Sequence, residues 1–266
     1  MTLKEKMMKM RQGRTPEKVK ELAKREGSFT GTKKSRLYVD SVKNVLAANN
    51  IKGEFTFRII PPFFKANGGH WAYPVSTHYN VGINKDNFNC PKRMIGKKCP
   101  ICNEVEKLTD PEDRKANKHF YPKDASIVYI IDRASEDKGP ILWKMPFGVE
   151  KDILTQASRG KIEFVDDVDE GYDITVSYEK VETGAYTGGR WSSVTIDRLS
   201  SPLSNNEDLI EEWLEYCDEN SLDKVCHFEE YETLLKAIND DGSEEVTSTD
   251  DNKTDVKNKL KKFRKI

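Results

Sequence analysis

YDITVSYEK (172–180) is the most regular stretch of the chain. Tyr172, Ile174, Val176 and Tyr178 alternate with polar residues, the period of a strand with one face turned inward. GAYTGG (184–189) then turns the chain, and Arg190 to Leu199 returns as its hairpin partner. The same alternation recurs upstream in EFTFRII (54–60), with Phe55, Phe57 and Ile59 on one face, before Pro61 and Pro62 end it. Val75 to Ile83 repeats it, with Val75, Thr77, Tyr79, Val81 and Ile83 together. Ser126 to Asp132 and Pro140 to Met145 add two more strands across the turn Glu136-Asp137-Lys138-Gly139. These segments predict five to seven mostly antiparallel strands: a mainly β fold with peripheral helices. A small barrel is the expected closure, because closing a sheet removes exposed edges.

Helical spacing marks Val149–Arg159, Asn206–Glu219 and Ser221–Asn239, and more weakly Val39–Asn49. Residues 2–11 and 15–26 read as short basic helices, followed by a linker at Gly27–Thr32. Residues 240–255 contain one apolar residue and are expected to be disordered. The expected organisation is a basic arm (1–36), a core (37–204), an acidic helical segment (205–239) and an acidic tail with a basic tip (240–266).

Charge follows the same divisions. The chain has 266 residues and a net charge of −1, but 33% of it is charged against about 25% in typical globular proteins. Residues 1–36 carry +8, residues 37–202 are balanced, residues 203–255 carry −15 and residues 256–266 carry +6. Opposed blocks at the two ends of a neutral core read as interaction arms. No run approaches the roughly 18 apolar residues of a membrane span. The start MTLKEK lacks the apolar segment of a secretory signal. Five cysteines do not make a disulfide framework, so a reducing, cytoplasmic setting is expected.

The sharpest local signal is CPKRMIGKKCPIC (90–102). Cys99-Pro100-Ile101-Cys102 is a turn that presents two thiolates to one ion, and Cys90 lies nine positions upstream. A histidine completes a closed four-ligand site, either His78 on the polar face of a strand or His70 beside Gly68-Gly69. Three thiolates and one imidazole suit a single structural Zn2+. Cys217, Cys226 and His227 are spaced as buried positions rather than as a second site.

The loop between Cys90 and Cys99 holds Lys92, Arg93, Lys97 and Lys98. Aromatic and basic residues surround it in sequence: Arg58, Trp71, Tyr73, Trp143, Lys144, Arg190 and Trp191. Cations that follow phosphates and flat rings that stack on bases are the two ingredients of a single-strand groove. Core packing is the rival reading for the three tryptophans, and the preferred one for Phe55, Phe57, Tyr129, Tyr172 and Tyr178. Neither a Walker loop nor Gly-x-Gly-x-x-Gly nor Gly-x-Ser-x-Gly occurs. The carboxylates of Asp166-Asp167 and Asp169-Glu170 read as solvated turn residues. No catalytic group is nominated, and the protein is not expected to be an enzyme.

Taken together, GEFTFRIIPP (53–62), HYNVG (78–82), CPKRMIGKKCPIC (90–102), ILWKMP (141–146), DEGYDITVSYEK (169–180) and DRLSSPLS (197–204) resemble the gene 32 type single-stranded DNA-binding proteins of tailed phages. The resemblance implies an OB-fold barrel with an inserted zinc subdomain at about 63–123, and DNA in the cleft between them. It implies His78, Cys90, Cys99 and Cys102 as the zinc ligands. It also implies a sequence-independent coat on single-stranded DNA in phage replication, recombination and repair, within the host cytoplasm. Lys33, Lys34, Ser35 and Arg36 look like the family's self-association motif, which supports cooperative binding along DNA. The acidic C-terminal segment looks like the family's tail, which contacts replication or recombination proteins and competes with DNA. The alternative is a zinc adaptor that binds a replication protein through its acidic helices and touches nucleic acid weakly.

Overall fold

Among the described residues, eight strands form one mixed, largely antiparallel sheet, with helices packed against its faces and edge. The computed structural model describes residues 37–46, 53–64, 70–82, 85–117, 120–183 and 186–239. The basic arm, with Lys33 to Arg36, and the tail beyond residue 239 lie outside the described residues.

The strands are β1 (Val45–Leu46), β2 (Gly53–Ile59), β3 (Tyr73–Val81), β4 (Asp86–Asn89), β5 (Lys123–Asp132), β6 (Ile141–Met145), β7 (Ile174–Thr183) and β8 (Tyr186–Ile196). The central strand is β5. Its first half pairs with β3, from Thr77↔Lys123 to Tyr73↔Ile127, and its last residues pair with β2, from Ile59↔Ile130 to Phe57↔Asp132. The opposite edge of β5 carries β6. Both faces of β5 are covered, which explains its unbroken apolar run Ile127 to Ile131. Ile127, Tyr129 and Ile131 enter one core cluster, whereas Val128 and Ile130 enter another.

The helices are α1 (Pro91–Ile95), α2 (Pro100–Glu106), α3 (Pro111–Ala116), α4 (Phe147–Gly160), α5 (Glu207–Glu219) and α6 (Tyr231–Asn239). Each apolar stripe finds a sheet face. Val149, Ile153, Leu154 and Ala157 of α4 join Phe57, Ile59, Trp143 and Val176. Ile210, Trp213, Leu214 and Cys217 of α5 join Ile60, Phe63, Ile127 and Leu142. The acidic helix α5 is therefore part of the core, and its carboxylates occupy the outer face. Asn206 caps it by accepting from the Asp208 N–H at 3.0 Å.

The expected barrel does not close among the described residues. The main path runs β1-β6-β5-β2-β7-β8 and ends open at β1 and β8. It still coils strongly enough to bring Trp191 of β8 to Trp143 of β6, with ring centroids 5.4 Å apart. Helix α4 stands where closure would occur: Gln156 donates to the Val194 carbonyl of β8, and the same helix packs on β5. The terminal strand β1 has only two residues, too short to replace it.

Three other segments differ from expectation. Val39–Asn49 is not helical in its described part: Val45 and Leu46 pair in parallel with Leu142 and Trp143 of β6, a sheet edge overriding a weak helical period. Ser221–Asn239 is not one helix. Cys226 bridges Tyr38, the His227 N–H donates to the Leu37 carbonyl, and helix begins only at Tyr231. The hairpin β7–β8 is longer than read, with pairing down to Thr183↔Tyr186. No helix among the described residues is long and apolar enough to cross a membrane.

Candidate metal centre and basic loop

His78 reaches its place through a defect in β3. The ladder with β4 runs Thr77↔Asn89 and His78↔Phe88, then slips by one residue to Val81↔Asp86. Asn80 takes φ +53° at this bulge. Tyr79 stays on the face of Val75 and Thr77, but Val81 is thrown to the side of His78, where it packs with Cys90, Cys99 and Cys102. The five-residue stripe read from the sequence is thus broken after Tyr79.

The cysteines arrive on two short helices. Cys90 is the residue before α1 and Cys99 the residue before α2. Each is followed by a proline, which fits the first helical turn because its missing N–H is not needed there. Cys102 follows on the first turn of α2. His78, Cys90 and Cys99 are fully buried and Cys102 is 6% exposed. Their ligand atoms lie within 4.8 Å of one another. Cys90 Sγ is 3.4 Å from Cys102 Sγ, and His78 Nε2 is 3.4 Å from Cys99 Sγ and 3.6 Å from Cys102 Sγ. A tetrahedral zinc with bonds of about 2.3 Å to sulfur and about 2.0 Å to nitrogen sets its ligands roughly 3.5–3.8 Å apart, so the four residues fit one such ion.

The surroundings support the same use. His78 Nδ1 lies 2.8 Å from the Phe120 carbonyl, and its N–H donates there. That fixes the tautomer and turns the Nε2 lone pair to the sulfurs. Burial pushes the His78 imidazole down, but hydrogen bonds to Cys90 and Cys99 outweigh it and bring it up to about 9. Hydrogen bonds from Cys102 and Cys99 hold Cys90 far below the usual thiol range, whereas hydrogen bonds to Cys90 and Cys99 drive Cys102 up. Three thiols this close cannot all ionise unless a cation shares the cavity. His70, the rival ligand, is elsewhere: its Nε2 is 2.8 Å from Glu150 Oε1, and Glu150 Oε2 accepts from Ser126 Oγ at 2.6 Å. Cys217 and Cys226 are buried, and burial pushes both thiols up, Cys226 to about 12.

The loop between Cys90 and Cys99 is exposed at Lys92, Arg93, Lys97 and Lys98. Lys92 pairs with Glu106 at 2.6 Å and Arg93 with Asp124 at 3.3 Å. Lys97 and Lys98 have no ion-pair partner among the described residues. Tyr73 and Trp191 are half-buried. Arg190 pairs with Glu179 across the hairpin in backbone register.

The other residues expected at a nucleic-acid groove are inside. Trp71 and Trp143 are 2% and 1% exposed. Trp143 meets Phe57 edge-on with centroids 5.1 Å apart, and Trp191 in turn meets Tyr178 at 4.9 Å, which extends the core through successive rings. Lys144 is buried, donates to Thr77 Oγ1 at 2.6 Å and lies 4.8 Å from the Tyr79 ring centroid. Arg58 is fully buried. Its guanidinium donates to Asp173 Oδ1 and the Ser201 carbonyl, both at 2.9 Å, and to Ser201 Oγ at 2.5 Å. Arg133 shares the same Asp173 oxygen at 2.9 Å. The acidic loop before β7 wraps this pair: a side chain at Gly171 would meet the Arg58 guanidinium at 2.5 Å. Asp166, expected in solvent, is fully buried there.

Sequence reading missed Phe120 and Leu234, which complete the surroundings of the His/Cys cluster. Phe120 acts through its carbonyl, which no side-chain pattern reports. Leu234 of α6 packs on Val81, Phe88, Cys90, Cys99 and Ile101 across a long separation in the chain. A scan against protein-family models finds no match to this chain, and a search of curated proteins finds none either.

Proposed function

We propose that the protein binds single-stranded DNA without base preference, with one structural zinc held by His78, Cys90, Cys99 and Cys102. The observation that carries this reading is the basic turn of residues 92–98, clamped at both ends by the buried His/Cys cluster. Such a turn offers cations in fixed positions to successive phosphates. The pairs Lys92–Glu106 and Arg93–Asp124 are solvent-exposed, so exchanging a carboxylate for a phosphate costs little. The coiled, mostly antiparallel sheet with α4 across its gap is compatible with an OB-type core, and the sequence resemblance to the gene 32 type proteins points the same way. Stacking duties fall to Tyr73 and Trp191 rather than to Trp71 and Trp143. A coat of this kind would serve replication, recombination and repair.

The acidic outer face of α5 supports a second reading, an adaptor whose carboxylates bind a basic protein. A polarisation titration of labelled oligo-dT and of duplex at several salt concentrations separates the two. Single-strand preference with log affinity falling by about 0.7 per phosphate contact against log salt is expected. Equal, weak binding of both probes would favour the adaptor.

A further inference from the structure

Ile95 is one of four large apolar side chains exposed among the described residues, at 41%. Its neighbours differ from it: Met94 packs on the core, and Pro91 is buried. The backbone beneath Ile95 is fixed. The Met94 N–H donates to the Cys90 carbonyl at 3.1 Å and the Lys97 N–H to the Pro91 carbonyl at 3.2 Å. Gly96 closes α1 with φ +69°, and nothing lies within 4 Å of the place where a side chain would be. The surface beside Ile95 is therefore open.

A single aliphatic side chain on a rigid turn that also exposes Lys92, Arg93, Lys97 and Lys98 is a poor match for an apolar protein surface. The apolar area is too small and the surrounding charge too high. It suits a polyanion that presents flat apolar surfaces between its charges. Resting on the reading of this turn as a single-strand contact, we propose that Ile95 packs on the face of one unstacked base while Lys97 and Lys98 hold the flanking phosphates. Aliphatic side chains, isoleucine among them, pack on base faces in the same way where duplex-bending proteins wedge base steps apart.

The test uses the full chain, metal content checked, with labelled oligo-dT and the same oligonucleotide carrying abasic sites. Ile95→Ser is expected to keep its metal and to bind oligo-dT about tenfold more weakly, equivalent to about 1.4 kcal/mol, with an unchanged salt slope. The abasic probe should bind wild type more weakly than oligo-dT does, and Ile95→Ser should narrow that gap. Lys97→Ala/Lys98→Ala should instead flatten the salt slope by about 1.4, two phosphate contacts at 0.7 each. If wild type binds oligo-dT and Ile95→Ser binds it equally well, the base contact is wrong and the single-strand reading stands. If wild type does not bind oligo-dT, both fall.

Discussion

Lys144 sits inside the sheet, its ammonium donating to the Thr77 hydroxyl beside the Tyr79 ring, so pH acts on it directly. Burial brings its pKa down to about 7. The unfolded chain holds the same proton to about 10.4. Between those values the unfolded chain binds more protons, so stability rises with pH across that window. Below about 7 both states are charged and the full penalty of the buried ammonium remains. Lys144→Met should raise the melting temperature most at pH 6 and flatten its rise between pH 7 and 9. Thermal melts across that range check this; an unaltered pH dependence would show that Lys144 is not the titrating group. Arg58 differs, because its fork donates three hydrogen bonds to Asp173 and Ser201. Both residues looked like phosphate contacts in the sequence, where a cation beside aromatics reads the same whether the strand faces solvent or core.

Helix α6 illustrates what a sequence conveys about elements and what it withholds. Its backbone lies against the turn after β3, and a side chain at Gly82 would meet the Ala237 carbonyl at 2.2 Å. Gly82 also takes φ +71°, so only glycine permits both the turn and the close approach. Gly82→Ala should lift α6 from the metal centre. Limited proteolysis is expected to cut near residues 231–239 faster in the variant than in wild type, and chelation of wild type should reproduce that pattern. Equal protection in all three samples would contradict the coupling. Alternation located β2, β3 and β7, because each has a face committed to a core, and the turn at 136–139 set off β5 and β6. Cysteine spacing located the His/Cys cluster, because ligand chemistry is local. The docking of α6, the bulge at Asn80 and the replacement of barrel closure by α4 depend on contacts between distant segments, which no local pattern encodes. The break at Ser221–Glu230 was hidden for the same reason: Cys226 and His227 are drawn to the backbone at Leu37 and Tyr38.

At the scale of the molecule, the His/Cys cluster ties together β3, α1, α2, the Phe120 turn and, through Leu234, α6. The apolar cluster around it is smaller than the two that flank the sheet, so the ion should supply much of its cohesion. Cys99→Ser is expected to lose one equivalent of zinc and to lower the melting temperature by about 10 °C, the shift that a loss of roughly 3 kcal/mol produces in a domain of this size. Elemental analysis of protein purified without chelator checks the stoichiometry. The same cluster sets both ends of the basic turn, so metal and nucleic-acid affinity should move together. The most direct measurement is the affinity of one preparation for oligo-dT before chelation, after chelation and after zinc is restored, at fixed moderate salt. The account predicts strong binding, a loss of about tenfold or more on chelation, and recovery with zinc. Affinity for oligo-dT that chelation leaves unchanged, in protein shown to have lost its metal, would contradict it.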